Sequence, residues 1–329
     1  MSLFQTHAWQ SAWWETWGVD NDFTKVSPWS EGRCGLYLSS YRVKGIIPLR
    51  SLEFVGSSYR NVRSVRTEYN TLCSELKTDA ENFAAFTDLL KQTRWSEAVF
   101  NDLIVGSQDI DFLYALARSE RWLVRETASD TAWSVDTNGD FGEYLRSLGS
   151  NTRLRIYNRR RVLESLGSVD HENLWLKGDE GVRRFFDELN QFHCRRWGKP
   201  VFREKALQFH RRFLERVTEE GGLPQLLLLY CDDAVISVLY NVVYKGRVYN
   251  IQSGFEEAFH KKLSLGFLHL GYAIEFAFED PQVRVFDMLA GRGKNNNYKK
   301  HLATSRQDLL SLMVVRSRVL NALYRVKDR

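Results

Sequence analysis

The segment Phe259-His-Lys-Lys-Leu-Ser-Leu-Gly266-Phe267 has the arrangement with the clearest chemical use. It stands between strand-like sequence and a long apolar helix, whose first N–H groups therefore lack an intrahelical acceptor. Such groups, with the positive end of the helix dipole, bind phosphate. Gly266 lets the backbone come close to an anion, Ser264 can cap or donate, and Lys261 and Lys262 add charge. Ordinary helix capping uses the same residue types, so the pattern alone is weak.

A second constellation is Phe192-His-Cys-Arg-Arg-Trp197. On a helix His193, Arg196 and Trp197 stand at i, i+3 and i+4 and share a face. An imidazole titrating near neutrality suits a general base for an amine or hydroxyl, with Arg196 and Trp197 at the substrate. The bland alternative is a partly buried histidine held by a backbone carbonyl, with Arg196 stacked on Trp197. Asp287, inside the apolar run VFDML, must find a partner if buried. Lys299 or an arginine could supply it, and Tyr298 lies beside Lys299; a structural aspartate closing a strand is the equal alternative. The helix NTRLRIYNRRRVLESLG offers Arg153, Arg155, Arg159, Arg160 and Arg161 to phosphates, although charge runs usually form a solvated face. No RNA-recognition motif accompanies it. The histidines at 7, 171, 210, 260, 269 and 301 have no spacing that suggests a metal site, so none is expected. Cys194 adjoins His193 but points to another helix face, which argues against a Cys–His nucleophile.

The elements that would position these residues follow from patterning. Trp9, Trp13 and Trp17 recur at one helical face, a helix docking into a core. CGLYLSSYRVKGIIPL reads as a hairpin, Asn82–Lys91 as a helix, Glu97–Leu103 as a strand, and Ile110–Ser119 as a helix leading to strands near Trp122 and Trp133. Polar and glycine residues gather at 139–150, a break between halves. Beyond it the basic helix is closed by Gly167, and helices follow at Gly181–Trp197 and Glu204–Glu219. QLLLLYCDDAVISVLYNVVYKGRVYNIQSGF is a three-stranded antiparallel meander with two tight turns. A helix at Ser264–Glu279, a strand at Val283–Leu289, a Gly/Asn-rich loop and a strand at Leu309–Val315 complete the chain. Both VFNDL (Val99–Leu103) and VFDML (Val285–Leu289) follow a helix, a faint echo of two duplicated α/β units.

Composition narrows the class. With 46 Lys+Arg against 41 Asp+Glu in 329 residues, the net charge of +5 is too small for a dedicated nucleic-acid binder. No apolar run reaches the roughly 18 residues of a membrane span, and the N-terminal sequence lacks the features of a signal peptide. Cys34, Cys73, Cys194 and Cys231 are scattered, which argues against a zinc or disulfide framework and for a reducing cytoplasm. The sequence leaves the oligomeric state open.

From about Phe185 to Leu302 the chain resembles the GNAT-fold acetyltransferases associated with bacterial cellulose and exopolysaccharide biosynthesis. The matching pieces are FDELNQFHCRRWG, YNIQSGFEEAFHKKLSLG, FLHLGYAIEFAFE, VRVFDMLAG and YKKHL, in that order, preceded by the basic helix RLRIYNRRRVLESLG, so that the likeness covers the second half of the chain. The resemblance implies an acyl-CoA donor. It also implies kinship with the aminoacyl-tRNA-dependent peptidoglycan-bridge transferases, which are built as two such units. Lys261-x-x-Ser264-x-Gly266 is then a degenerate form of the basic-x-x-Gly-x-Gly pyrophosphate loop of acyl-CoA transferases, with Phe267 next to it. Ser264-Leu265-Gly266 departs from the family's usual Ser-Pro-Gly, and the connection from Gly291 to Tyr298 is longer than usual.

The expected fold is thus α/β, two GNAT-like units in tandem, with mixed, mostly antiparallel sheets flanked by helices. Residues 1–150 are expected to be a degenerate, acceptor-shaping half and 151–329 the donor-binding half. The expected reaction moves an acyl group, acetyl by resemblance, from acyl-CoA to an amine or hydroxyl of a small molecule or saccharide. His193, or Asp287 through water, would accept the proton, and Tyr298 would protonate the leaving thiolate beside Lys299. A splay between Arg247–Ser253, which includes Tyr249 and Ser253, and Val283–Leu289 would admit the pantetheine arm. The alternatives are an aminoacyl-tRNA donor gripped by the Arg153–Arg161 helix, and a non-catalytic binding module.

Overall fold

The computed structural model describes residues 1–27, 35–43, 45–73, 77–291 and 294–327; the side chains of residues 43, 294–297 and 327 are not described. Cys34 and residues 292 and 293 of the expected long connection lie outside the described residues. The first part of the chain forms α1 (His7–Trp13), β1 (Thr24–Val26), β2 (Leu36–Val43), β3 (Ile47–Phe54), α2 (Asp79–Gln92), β4 (Glu97–Ile104), α3 (Gln108–Ser119) and β5 (Leu123–Asp136). Next come α4 (Phe141–Ser147), α5 (Ser150–Arg153), α6 (Arg160–Glu164), β6 (Val169–Asn173), α7 (Gly178–Trp197) and α8 (Glu204–Val217). The meander β7 (Leu223–Cys231), β8 (Ala234–Tyr244) and β9 (Arg247–Phe255) precedes α9 (Leu265–Glu279), β10 (Val285–Ala290), α10 (Lys294–Leu302), β11 (Ser305–Val315) and α11 (Arg318–Lys327).

Two compact units emerge. The first takes in Met1–Thr131, Gln208–Phe213 and Gln307–Arg329; the second takes in Ala132–Leu207 and Leu214–Arg306. The expected boundary at 150 therefore falls inside the second unit, and β11, near the end of the chain, pairs within the first.

In the first unit the strand order is β1-β2-β3-β4-β11. The β2–β3 hairpin is antiparallel, β3 and β4 run parallel with α2 between them, and β11 is antiparallel to β4. Alternation sorts the side chains: Leu52, Ala98, Phe100, Leu312 and Val314 join one core cluster, while Leu49, Val99, Met313 and Val315 join another. Trp9, Trp13 and Trp17 are buried as expected, with Trp9 edge-on to Phe209 and Phe213.

The second unit repeats the order with β8, β9, α9 and β10. Its strands run β10-β9-β8-β7-β6, with the end of β5 antiparallel to β10. Leu239 joins the cluster beneath α9, and the next residue, Tyr240, packs against Phe185 and Phe186 of α7. The echo between VFNDL and VFDML has a structural counterpart. In β4 two residues, Asn101 and Asp102, oppose the single Ser311; in β10 Met288 and Leu289 oppose Trp133. The bulges place Asp102 and Leu289 at φ 49° and 60°.

Three expectations change. The strands near Trp122 and Trp133 are one strand, β5. The basic helix is broken, with a π-helical turn at Leu154–Asn158 between α5 and α6. Here the chain presses on α9: a Cβ on Gly271 would lie 2.1 Å from the Ile156 carbonyl oxygen, so only glycine allows the approach. Lastly, most of the Asn-rich loop is helical, as α10. Asn is a weak helix former, and its three copies sit in the first turn, where short polar side chains are best tolerated.

Candidate functional site

A cavity of about 640 Å³ opens at the N-terminus of α9, lined by Ser264, Leu265, Gly266 and Phe267. Ser264 makes no side-chain cap, and no acidic residue stands in the first turn. Its carbonyl accepts from the N–H of Phe267 (2.9 Å) and Leu268 (3.0 Å), so the N–H groups of Leu265 and Gly266 come before any intrahelical acceptor. The turn is not plugged. Instead, Arg155 from the π-helical turn donates to Ser264 Oγ through Nε and Nη2, both at 3.3 Å. Its guanidinium lies 3.8 Å over the Phe267 ring. Burial lowers the Arg155 pKa and the charge of Arg159 lowers it further. Among the described residues no carboxylate forms an ion pair with it. A guanidinium, two amides and a helix dipole thus converge at the start of α9.

Gly266 is required by a ring. A Cβ there would meet Phe255 Cε1 at 2.5 Å, and Phe255 itself lines the cavity beneath the Arg196 guanidinium at 5.0 Å. Lys261 and Lys262 are exposed and lie outside the lining, whereas Arg155 and Arg196 belong to it.

The expected splay is present. β9 and β10 pair only at Arg247–Tyr249 with Val285–Asp287, and β9 then runs on to Phe255 without β10. A bulge in β9 sets which side chains face the cavity. Tyr240 pairs with Gln252 but Asn241 with Asn250, which leaves Ile251 as the extra residue and reverses the alternation. Asn250, Ser253 and Phe255 consequently share the lining, whereas Tyr249 is 3% exposed and outside it. This corrects the expected substrate contact at Tyr249.

Tyr298 lines the cavity from α10, with its ring edge-on to Phe267 at 5.4 Å. Burial raises the phenol's pKa, so it stays protonated and able to donate. Its hydroxyl has no hydrogen-bond partner among the described residues. Lys299 turns away instead, its Nζ donating to the carbonyls of Leu289 (3.0 Å) and Ala290 (3.1 Å). Asp287 is fully buried; it accepts from Arg247 Nη1 (2.9 Å) and from the Leu289 N–H (2.8 Å), which closes the β10 bulge. It does not reach the cavity, so neither Asp287 nor Lys299 can touch a bound substrate there.

His193 is half-buried beside the site and outside its lining. Nε2 lies 2.9 Å from the Ser253 carbonyl oxygen; donating there, it leaves Nδ1 as the basic nitrogen. Burial lowers its pKa, the Ser253 carbonyl opposes that, and Arg196 adds to it. Arg196 does line the cavity, pairs with Glu257 at 2.6 Å and stacks 4.7 Å over Trp197, which is 60% exposed. In the basic helix Arg160 pairs through Nη1 with Glu275 and stacks on Tyr272 at 3.8 Å.

Sequence reasoning missed Asn250, Phe255, Glu256, Glu257 and His301, all in the lining. Arg155 was visible only as one of five arginines. The paired acids ending a strand were a readable signal; nothing marked Phe255.

The repeated elements of the first unit are arranged differently. The gap beside β4 is filled by the chain around Asn70, whose N–H donates to the Asp102 carbonyl (3.1 Å) and whose side chain donates to the Asn101 carbonyl (2.8 Å). At α2, Thr78 and Glu81 form a capping box, and Asp79 and Glu81 put negative charge in the first turn.

Residues 150–300 match the model of a family described as an acetyltransferase (GNAT) domain. No curated protein matches the sequence. Among solved structures the chain is similar to FemX, at 12% identity and a TM-score of 0.59 over 98% of this chain and 96% of that one. It is also similar to a conserved protein of unknown function from Bacteroides thetaiotaomicron (10%, TM-score 0.54, covering 94% and 90%). L-PGS from Bacillus licheniformis is a third (12%, 0.50, 95% and 93%). At such identities the likeness is one of fold.

Proposed function

We propose that the second unit is an acyltransferase site that takes its acyl group, acetyl in the simplest case, from acyl-CoA and delivers it to an amine or hydroxyl. The observation that carries this reading is the start of α9, uncapped, free of acidic residues, beside Arg155 and open to the cavity. Those groups fit a pyrophosphate. The edge of β9 beyond Tyr249 offers its backbone to an extended arm, and the thioester supplies the activated acyl group. Tyr298 holds a proton for the departing sulfur. His193 Nδ1, neutral at physiological pH, is the base that the geometry favours over Asp287, reaching an acceptor through water. Arg196 and Trp197 shape the acceptor side, and the first unit, closed to the donor, serves as the acceptor-shaping half. A saccharide or other cell-envelope acceptor fits the resemblance of the sequence.

Calorimetric titration of acetyl-CoA against wild type and Gly266→Glu tests the donor. Binding by wild type and its loss in the variant is the expected result; equal affinity in both removes the cradle. A tRNA-borne donor would instead bind with steep salt dependence, abolished by neutralising Arg159 and Arg161.

A further inference from the structure

The last helix of the first unit, α11, has two apolar faces. Leu320 and Tyr324, at i and i+4, dock it onto the cluster of Leu49, Val99, Met313 and Val315. Tyr324 fastens it further: its hydroxyl donates to Glu97 Oε2 at 2.6 Å and accepts from Arg60 Nη2 at 2.6 Å. The Arg125 guanidinium stacks 4.1 Å over the ring. The helix is thus held without using its other face. There Val319, Leu323 and Val326 stand at i, i+4 and i+7, exposed by 59%, 46% and 75%. Aliphatic side chains at that spacing form a continuous stripe.

Charge decides what such a stripe fits. From 316 to 327 the sequence has Arg316, Arg318, Arg325 and Lys327 and no acidic residue. Arg316 is engaged with the carbonyls of Leu90 and Thr93, but Arg318 and Arg325 are exposed on α11 itself. A nucleic acid would have no use for three aliphatic side chains, and a purely apolar protein groove would leave the arginines unmatched. A surface offering both anionic head groups and hydrocarbon satisfies all of them at once.

We propose that α11 is a peripheral docking surface for an anionic lipid bilayer, with Val319, Leu323 and Val326 entering the head-group boundary and Arg318 and Arg325 meeting lipid phosphates. Among the described residues no helix is long and apolar enough to cross a membrane.

Co-sedimentation of the full chain with vesicles tests this. Vesicles containing phosphatidylglycerol are expected to capture the protein, and those of phosphatidylcholine alone are not. Leu323→Glu, and separately Arg318→Glu with Arg325→Glu, should each weaken capture about tenfold or more while circular dichroism stays unchanged. In Leu323→Trp the new indole fluorescence should shift to the blue only with the anionic vesicles. Failure to bind anionic vesicles overturns the proposal, as does equal binding by wild type and Leu323→Glu. Self-association of wild type that Leu323→Glu abolishes, without vesicle binding, would show a protein interface instead.

Discussion

Replacing Arg155 with alanine separates the charge of the cradle from the integrity of the fold. Among the described residues this guanidinium has only Ser264 Oγ at 3.3 Å and the Phe267 ring at 3.8 Å as partners, and it is repelled by Arg159. Its loss is therefore a surface-type change, within about 0.5 kcal/mol of neutral for stability. Toward a bound phosphate the same group makes charge-assisted hydrogen bonds worth about 1.5–3 kcal/mol each. Losing one such bond weakens donor binding roughly ten- to hundredfold. Calorimetry with acetyl-CoA at low and moderate salt reads this directly, and thermal melting reads stability in parallel. Lys262→Ala, exposed and outside the lining, is the control and should bind as wild type does. An unchanged Kd in Arg155→Ala, or a larger loss in Lys262→Ala, would refute the assignment of the cation.

Other expectations follow from the same geometry. Gly271→Ala would press a methyl against the Ile156 carbonyl, a backbone group that cannot swing aside, so its melting temperature should fall steeply and well below that of Arg155→Ala. Tyr298→Phe should lower kcat by about a hundredfold or more and leave donor affinity intact. Because burial raises that phenol, the wild-type basic limb should lie above the ordinary tyrosine value and disappear in the variant. Buried His210 is held down to about 3 and buried His269 well below its ordinary value. Both stay neutral when folded, so stability is full above the unfolded histidine pKa and falls as acid protonates the unfolded chain. At pH 5 the loss from His210 is about 2 kcal/mol, readable by urea unfolding at pH 7.5 and 5 and reduced in His210→Gln, and His269 acts in the same direction.

Local periodicity revealed much of the architecture. The tryptophan face of α1, the meander and the order of hairpin, helix and parallel strand were legible because each obeys a short repeat. The start of α9 was legible too, since glycine and serine before an apolar helix report on backbone chemistry. Pairings between distant residues were hidden. Asp287 meets Arg247 across neighbouring strands, and Lys299 reaches the carbonyls of the β10 bulge, contacts that no spacing encodes. Asn250 replaces Tyr249 in the lining through one extra residue in β9, which a period-two reading cannot see. Arg155 is selected from its neighbours only by the π-helical turn.

A chain that has two copies of one folding pattern has two helix starts able to attract the same diffusing anion. At α2 the Glu81 carboxylate accepts from the Thr78 N–H at 2.9 Å and its hydroxyl at 2.8 Å, and so occupies from within what a phosphate would seek. Stoichiometry records the difference: donor should saturate at one equivalent per chain, and Glu81→Gln alone should not create a second, because the strand gap behind it is already filled with polypeptide.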